Sequence, residues 1–302
     1  MNPRRGAASL ILAVLILLAP AVHSAWTEDN QGAEDPALSL GDRLAEEGAL
    51  DLAITEYKRV LYFNQDEQIV DSVHARIAAC YRAQQLWPEA IFHLRRSIQN
   101  ASSLGEIEER EFDLVTALLA SGRDNEAELH LLQLREFSVL DERRLSLYLT
   151  VTYTYRGQWE KAITELHKAF PAGEITDIRM REKVEQLERL FTEARETPRK
   201  SPEGAVWLST ALPGAGQLYA GHPWDALNAV AVNAGLITLI CAAVKQEWYL
   251  EGALLFLYPL RRYYLGNRDN ARIAAEGRNR TVGERYRRQL LEGIASILKE
   301  ED

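Results

Sequence analysis

The histidines and carboxylates are the side chains best suited to chemistry, and their spacing matches no catalytic or metal site. Residues 25–302 contain five histidines: His74, His93, His130, His167 and His222. None belongs to a His-Glu-x-x-His pattern, which would place two zinc ligands on one helix face. The carboxylates lie on polar helix faces rather than as the isolated apolar pair that acid–base catalysis needs. We therefore expect no enzyme activity, no catalytic residue, no metal site and no cofactor.

Polar side chains also interrupt the most apolar stretch of the mature chain, residues 203–266. These are Gln217, Asn228, Asn233 and Glu251. Polar groups inside membrane segments often mark function. The alternative, which we favour, is that they hydrogen-bond between helices and fix the packing.

Gly214 and Gly216 in the same stretch do not indicate a phosphate-binding loop. Such a loop needs Lys followed by Ser or Thr, after a β-strand, and the sequence predicts neither here. Glycine allows two backbones to approach closely. The pair therefore indicates close helix packing.

Charge is distributed unevenly along the 302 residues. Residues 26–200 carry 33 acidic and 22 basic side chains, a net charge of −11, whereas residues 201–302 carry 11 of each. The net negative charge of residues 26–200 argues against a nucleic acid partner. The segment from Arg261 to Arg288 contains nine arginines and three acidic residues. A basic run beside an apolar segment is typical of a cytoplasmic membrane face.

The N-terminus has the pattern of a secretory signal peptide. Arg4 and Arg5 precede an apolar run, residues 7–18, and small residues follow before Ala25. We expect cleavage after Ser24, so that residues 1–24 are the signal peptide and residues 25–36 a polar linker. The alternative is an uncleaved anchor helix, and in both cases the following residues are exported.

Small and large residues recur with a spacing of 35 to 37 residues. The recurring alanines are Ala53, Ala90, Ala127 and Ala162. Five residues before them, in a predicted turn, stand Gly48, Gln85, Gly122 and Gly157. Large residues recur nine before and four after the alanines: Leu44, Tyr81, Leu118, Tyr153, Tyr57, Leu94, Leu131 and Leu166. The pattern predicts a pair of helices repeated four times.

Residues 37–197 resemble the tetratricopeptide repeat family. The matching residues are Gly41, Ala53 and Tyr57 in the first repeat and Tyr153, Gly157, Trp159 and Ala162 in the fourth. The middle repeats are looser, with Ala78 and Val115 where the family has a small glycine, and the family's usual proline at the repeat end is absent. The resemblance implies an all-α helical solenoid of four repeats, closed by a capping helix within residues 176–196.

The resemblance also implies a concave surface that binds protein or peptide segments. Carried over position by position, its residues are Asp42, Glu46, Arg82, Phe112, Thr116, Arg144, Leu147, Val151 and Tyr155. The alternative, that these residues are solvated or pack inside the array, stays open. Only Arg82 and Arg144 offer cations, so we do not expect a receptor for C-terminal carboxylates.

Residues 198–202 form a proline-containing linker, and residues 203–266 are predicted to form a small α-helical membrane module. Residues 225–244 are long enough as a helix, about 30 Å, to span a bilayer. A shorter apolar stretch follows at residues 248–265. Aromatic residues flank these stretches as in an interfacial belt: Trp207, Trp224, Trp248, Tyr219, Tyr249, Tyr263 and Tyr264.

The membrane module resembles a C-terminal element of bacterial membrane proteins, often found after tetratricopeptide repeats, and is distantly similar to the two-transmembrane-span domain family. The matching positions are Pro213, Gly214, Gly216, Gln217, Tyr219, Gly221 and Asn233, followed by the Tyr-Leu-Gly-Asn run at 264–267. Neither resemblance implies catalysis.

The number of membrane crossings depends on where the arginine run lies. With an exported array and a cytoplasmic run, three crossings are expected, by the Pro-Gly segment and both apolar stretches. The competing arrangement has two crossings and a re-entrant Pro-Gly segment. Residues 267–302 form a basic tail whose amphipathic helix, 281–299, lies either on anionic lipid or against protein.

These observations predict a membrane-anchored tetratricopeptide scaffold of the bacterial cell envelope. We expect it in the inner membrane, with the repeat domain in the periplasm and with protein or peptide partners. The alternative is an accessory subunit of a membrane transporter or channel whose working part is the segment Leu212–Gly221. In both cases the bilayer is a partner, and a larger membrane complex is possible.

Overall fold

The computed structural model describes residues 36–64, 66–99, 101, 103–137, 141–171 and 173–299. The predicted signal peptide and nearly all of the following linker lie outside these residues. The described residues form helices and connecting turns, with no strand among them, which confirms the predicted all-α class. Two compact units divide the chain: residues 1–195 with 287–302, and residues 196–286.

The first unit is built from nine consecutive helices, which we call the array. They are α1 (Pro36–Glu46), α2 (Leu50–Phe63), α3 (Glu67–Ala83), α4 (Trp87–Gln99), α5 (Leu104–Ala120), α6 (Asp124–Phe137), α7 (Glu142–Arg156), α8 (Trp159–Ala169) and α9 (Ile178–Glu196). Each of the first seven packs against the next one along the chain. The array is therefore a row of helix pairs whose contacts are local in sequence.

The turn inside each helix pair has the same left-handed geometry. The predicted turn residues Gly48, Gln85, Gly122 and Gly157 have φ values of 76°, 60°, 78° and 70°. The next residue in each turn donates its N–H to the carbonyl of the recurring large residue at Leu44, Tyr81, Leu118 or Tyr153. This is the bond that closes a helix behind a left-handed residue, and it explains the recurring glycines.

The recurring alanines lie where two helices approach closely. Ala53, Ala90, Ala127 and Ala162 are each 0% exposed. In the first pair, an added Cβ on Gly41 would lie 2.5 Å from the Tyr57 ring. The Tyr57 hydroxyl donates to Asp42 Oδ1 at 2.6 Å. Small residues thus let the large ones fill the space between helices.

The second unit contains helices of very different length. They are α10 (Pro202–Ala211), α11 (Ala215–Tyr219), α12 (Pro223–Lys245), α13 (Tyr249–Leu255), a π-helical turn (Phe256–Leu260) and the first part of α14 (Arg261–Leu298). Helix α14 has 38 residues. It continues without interruption through Gly266, so the end of the last apolar stretch and the basic tail share one helix. The tail is helical as expected.

Replacing Gln85 by glycine should stabilise the array. Gln85 is the non-glycine residue among the four left-handed turns, and a side chain costs roughly 1 kcal/mol in that conformation. We expect Gln85→Gly to raise the thermal unfolding midpoint by about 2–4 °C. The measurement is circular dichroism of the full-length protein.

The reciprocal change is the control for this prediction. Gly122→Gln introduces the same side chain into an equivalent turn with no neighbouring atom within 4 Å of an added Cβ. It should lower the midpoint by a similar amount. Equal midpoints for both variants and the parent protein would contradict the role of the left-handed turn.

Candidate binding surfaces

Four of the nine predicted groove residues are buried inside the array. Phe112 and Thr116 are each 2% exposed, Leu147 is 4% exposed and Val151 is fully buried. Their side chains fill the space between neighbouring helices and offer no free surface to a partner. For these four positions the structure corrects the expected open groove, because inter-repeat packing covers them.

Phe112, Thr116 and Arg144 belong to one packed cluster around Tyr148. The Phe112 and Tyr148 rings stack with centroids 4.7 Å apart, and the Thr116 and Tyr148 hydroxyl oxygens lie 3.2 Å apart. The Arg144 guanidinium lies 4.3 Å above the Phe112 ring. The cluster joins α5 to α7, so these side chains connect successive helix pairs.

The two predicted groove cations are paired with carboxylates of a neighbouring repeat. Arg82 pairs with Asp113, and Arg144 Nη1 lies 2.6 Å from Glu109 Oε1. Asp42 likewise accepts from Arg76 Nε at 2.9 Å. Because each pair joins residues 31 to 35 positions apart, these ions connect one repeat to the next.

The end of α14 packs on the array beside another groove candidate. The Arg287 guanidinium lies 5.4 Å from the centroid of the half-buried Tyr155 ring. Lys183 Nζ of α9 donates to the Ser296 carbonyl at 3.1 Å, and an added Cβ on Gly293 would lie 2.7 Å from Leu187. Of the nine candidates, Glu46 alone has an exposed side chain.

The apolar face of the tail helix is buried within the first unit. Its buried residues are Leu290, Leu291, Ile294, Ile297 and Leu298. Of the two expectations for this helix, packing against protein is therefore the one observed. The apolar face is not available to lie on lipid.

Two histidines of adjacent helices form a buried pair. The Nδ1 atoms of His74 and His93 lie 2.8 Å apart, and the Tyr81 ring stacks on His93 with centroids 5.6 Å apart. Burial, with smaller contributions from His74 and Lys58, lowers the pKa of His93 to about 4. Burial and nearby Arg96 also lower the pKa of His74. The pair therefore packs as neutral rings, and the described residues contain no cluster of three metal-ligating side chains.

The Pro-Gly motif in the second unit is a junction of three helices. An added Cβ on Gly216 of α11 would collide with the Ala205 carbonyl of α10 and lie 2.7 Å from the Ala271 Cβ of α14. Gly214, at φ 95°, would place a Cβ 2.5 Å from the Ala226 carbonyl of α12. Pro213 precedes this junction. The motif glycines thus hold α10, α12 and α14 against α11.

A hydrogen-bond network fixes Gln217 at this junction. The Gly216 N–H donates to Ser209 Oγ at 3.0 Å, and Ser209 Oγ donates to Gln217 Oε1 at 2.9 Å. Gln217 Nε2 donates to the Asn267 carbonyl at 3.0 Å and also to Asn267 Oδ1. Tyr264 donates to the Thr210 carbonyl at 2.7 Å. The favoured packing role of Gln217 agrees with these bonds.

The linker is held by a second set of bonds in the same unit. Asn279 of α14 accepts from the Lys200 N–H at 2.8 Å and donates to its carbonyl at 2.7 Å. The Ser201 N–H donates to the Tyr219 hydroxyl at 3.1 Å, and Lys200 Nζ lies 4.4 Å from the Tyr219 ring centroid. Tyr219 of the motif therefore positions the chain where it enters the second unit.

An open cleft of about 1100 Å³ lies between the first half of α12 and one face of α14. Amides line it: Gln217, Asn228, Asn233, Asn267 and Asn270. Charged side chains also line it: Arg262, Arg278, Arg285 and Asp225, together with His222. Gly221 of the motif lies at its edge. From the sequence we identified Gln217, Asn228, Asn233 and the arginine run, but not the cleft that they share, because the common helix face is visible only once α14 is known to be continuous.

Helix α12 is apolar and largely exposed. It has 23 residues and is, within the described part of the chain, the one helix long and apolar enough to cross a membrane. Trp224 is 80% exposed, Leu227 58% and Leu239 56%. Such exposure is uncommon for an apolar helix in water.

Gly216→Ala should destabilise the second unit. The new Cβ has no room against α10 and α14, and overpacking of this kind costs roughly 1–3 kcal/mol. The matched control is Gly235→Ala in α12, where no atom lies within 4 Å of an added Cβ and alanine favours the helix. We expect thermal scans to show a lower unfolding midpoint for Gly216→Ala and an unchanged or higher one for Gly235→Ala. A neutral Gly216→Ala variant would contradict the three-helix junction.

The His74–His93 pair should make the array less stable in mild acid. Because the pKa of His93 is about 4 in the folded protein and about 6.5 when unfolded, the unfolded chain binds more protons between these values. The free energy of unfolding should therefore fall as pH drops from 6.5 to 4, by on the order of 1–2 kcal/mol. His93→Gln should flatten this slope in urea titrations at several pH values. The exposed His167→Gln control should keep it, and a parent slope retained by His93→Gln would contradict the assignment.

Comparison with known proteins identifies no relative of this chain. Protein-family models, curated proteins and solved structures gave no match to the chain. The proposals below are therefore supported by the sequence pattern and the contacts described above.

Proposed function

We propose that the protein is a membrane-anchored tetratricopeptide-type scaffold of the bacterial cell envelope, in which the array binds protein or peptide segments. The observation that carries the proposal is the coexistence, in one chain, of stacked helix pairs and an exposed apolar helix. The pairs recur every 35 to 37 residues and share a left-handed turn. Repeats that stack only on their neighbours typically present extended surfaces to protein partners.

The proposed anchor is the hairpin formed by α12, α13 and the π-helical turn. As a helix, the 23 residues of α12 extend about 34 Å, close to the thickness of a bilayer core. The returning segment is also apolar and exposed, with Leu250 71% exposed and Phe256 58% exposed. Lipid contact would remove this surface from water.

The proposed topology puts the array and the tail on the same side of the membrane. Residues 287–298 pack on α9 through contacts such as Lys183 to Ser296, so the chain must return to the side from which it left. Helix α10, with ten residues, extends about 15 Å and is too short to cross. We therefore propose that the hairpin enters and leaves by one face of the membrane, in place of the expected three crossings.

Because we expect the N-terminus to be a signal peptide, we assign that common side to the periplasm. The proposal keeps the inner membrane as the location and the periplasm for the repeat domain. The arginine run of α14 then lies with the array rather than in the cytoplasm. This departs from the usual charge bias of membrane proteins and leaves those arginines available for another use.

The partner surface in this proposal lies outside the packed inner groove. Tyr62 and Phe63 at the end of α2 are 82% and 76% exposed, with ring centroids 5.0 Å apart. Exposed aromatic side chains are enriched at protein interfaces. The pair is therefore the surface that a partner segment would contact, whereas the exposed Glu46 lies beside the turn at the other end of this helix pair.

A transporter or channel subunit is the second candidate, and the polar cleft favours it. Gln217 and Asn233 line the cleft at the foot of the apolar hairpin, and polar groups in such positions often serve a transported molecule. Partner capture that survives loss of Tyr62 and Phe63, with a phenotype that follows Gln217 and Asn233 variants, would favour this function over the scaffold.

Partner binding should depend on the exposed aromatic pair. The double variant Tyr62→Ser/Phe63→Ser removes apolar contacts without touching a buried residue. Proteins cross-linked to the parent chain in intact cells should be lost from the double variant. Ile178→Ser, at an apolar residue 69% exposed elsewhere on the array, is the control and should retain them. Equal capture by the double variant and the control would contradict this surface.

Cysteine accessibility tests the topology. In a Cys80→Ala/Cys241→Ser background, Gln133→Cys reports on the array and Gln289→Cys on the tail, both at exposed positions. We expect a membrane-impermeant maleimide to label both from the same face of sealed vesicles. Labelling of the two positions from opposite faces would overturn the topology.

A further inference from the structure

The cleft of the second unit carries cations that no carboxylate neutralises. Within the described residues, no ion pair involves Arg262, Arg278 or Arg285, and all three are exposed. This contrasts with the array, where Arg82 and Arg144 are each paired with a neighbouring acid. The cleft arginines are therefore free to pair with an anion that is not part of the protein.

The one carboxylate in the cleft lining already has a partner. Asp225 Oδ2 lies 3.3 Å from His222 Nδ1. With three guanidiniums and one engaged carboxylate, the lining has a positive balance. Such a lining concentrates anions and repels cations.

Two amides that line the cleft are buried, and each leaves one polar atom without a partner. Asn233 and Asn267 line the cleft and are only 4% and 5% exposed. Among the described residues, Asn233 Oδ1 and Asn267 Nδ2 have no hydrogen-bond partner. Buried polar atoms nearly always have partners. A bound polar molecule would supply both a donor for the first and an acceptor for the second.

The size of the cleft favours a ligand larger than a simple ion. Its volume of about 1100 Å³ is at the upper end of the range for small-molecule pockets. The lining residues of α14 extend from Arg262 to Arg285, about 35 Å along the helix. An inorganic phosphate would occupy only a small part of this length.

The cleft begins where the apolar hairpin ends. Arg262 is the second residue of α14, which begins directly after the π-helical turn, and Asp225 and Asn228 lie in the first two turns of α12. In an anchored protein this position corresponds to the headgroup region of the bilayer, where basic side chains meet anionic lipids. Binding of a lipid headgroup in this cleft would therefore rest on the proposed function as a membrane-anchored protein, whereas binding of a soluble anion would not.

We propose that this cleft is a binding site for an anionic, phosphate-bearing ligand. The guanidiniums of Arg262, Arg278 and Arg285 pair with phosphate oxygens, as arginine does in phosphate sites generally. Asn233 and Asn267 bind the uncharged polar part of the same molecule. The ligand comes either from the headgroup of an acidic phospholipid or from a soluble phosphorylated compound.

Thermal stabilisation of the full-length protein in neutral detergent tests the site. The probes are phosphatidylglycerol, phosphatidylcholine and inorganic phosphate, added separately to the parent protein. A rise in the unfolding midpoint with phosphatidylglycerol but not with phosphatidylcholine supports the lipid source. A rise with inorganic phosphate that competes with the lipid supports the shared phosphate chemistry and the soluble source. No rise with either anion overturns the proposal.

A charge-matched pair of variants separates the site from general electrostatic attraction. Arg278→Gln/Arg285→Gln removes two cleft cations, whereas Arg272→Gln/Arg280→Gln removes two exposed cations of the same helix that do not line the cleft. We expect the cleft pair to weaken anion binding by about tenfold or more and the control pair to have little effect. Equal weakening by both pairs overturns the site.

A variant of a buried amide gives a second readout. Asn233→Val removes the unsatisfied Oδ1 together with the bond from Nδ2 to the Ala229 carbonyl. We expect these two losses to leave the stability of the ligand-free protein nearly unchanged and to reduce stabilisation by the anion. Unchanged anion binding by this variant overturns the proposal. A change of oligomeric state with no loss of anion binding also overturns it and indicates that the cleft is a protein interface. If alkaline carbonate releases the chain from membranes and the chain still binds the anion, the binding site is supported and the membrane anchor is contradicted. If the chain stays in the membrane but the cleft variants bind the anion as the parent protein does, the anchor is supported and the binding site is contradicted.

Discussion

The packing of the last turns of α14 against α9 constrains the arrangement of the whole chain. Lys183 of α9 and Ser296 of α14 are joined by a hydrogen bond of 3.1 Å, although 113 residues separate them in sequence. Between them lies the entire second unit. In our proposal, membrane insertion of that unit therefore returns the chain to the side of the array, without any appeal to charge bias.

Arginine has different roles in the two units. In the array, arginines pair with acids of the next repeat, as Arg135 does with Glu165 at 2.5 Å. These pairs join one repeat to the next. In the second unit, Arg278 and Arg285 line a cleft and have no acidic partner among the residues that the structure describes. Arginine thus joins neighbouring repeats in the first unit and, in our proposal, binds a ligand in the second.

Features determined by neighbouring residues could be predicted from the sequence. The left-handed turn at Gly157 and the buried position of Ala162 follow from a pattern that recurs every 35 to 37 residues, because each helix pair packs mainly on itself and the next pair. The burial of Phe112 could not be predicted, since it depends on stacking with Tyr148 of another repeat. The lack of room for a side chain at Gly216 depends partly on Ala271, which lies 55 residues later in the sequence. No local sequence pattern reveals this contact.

The central claim is that the exposed hairpin around α12 holds the protein in a bilayer. The most direct measurement is extraction of the native membrane fraction with alkaline carbonate, followed by detection of the full-length chain in the pellet and supernatant. The account predicts that the protein stays in the pellet and is released only by detergent. Recovery of the full-length chain in the carbonate supernatant would contradict it.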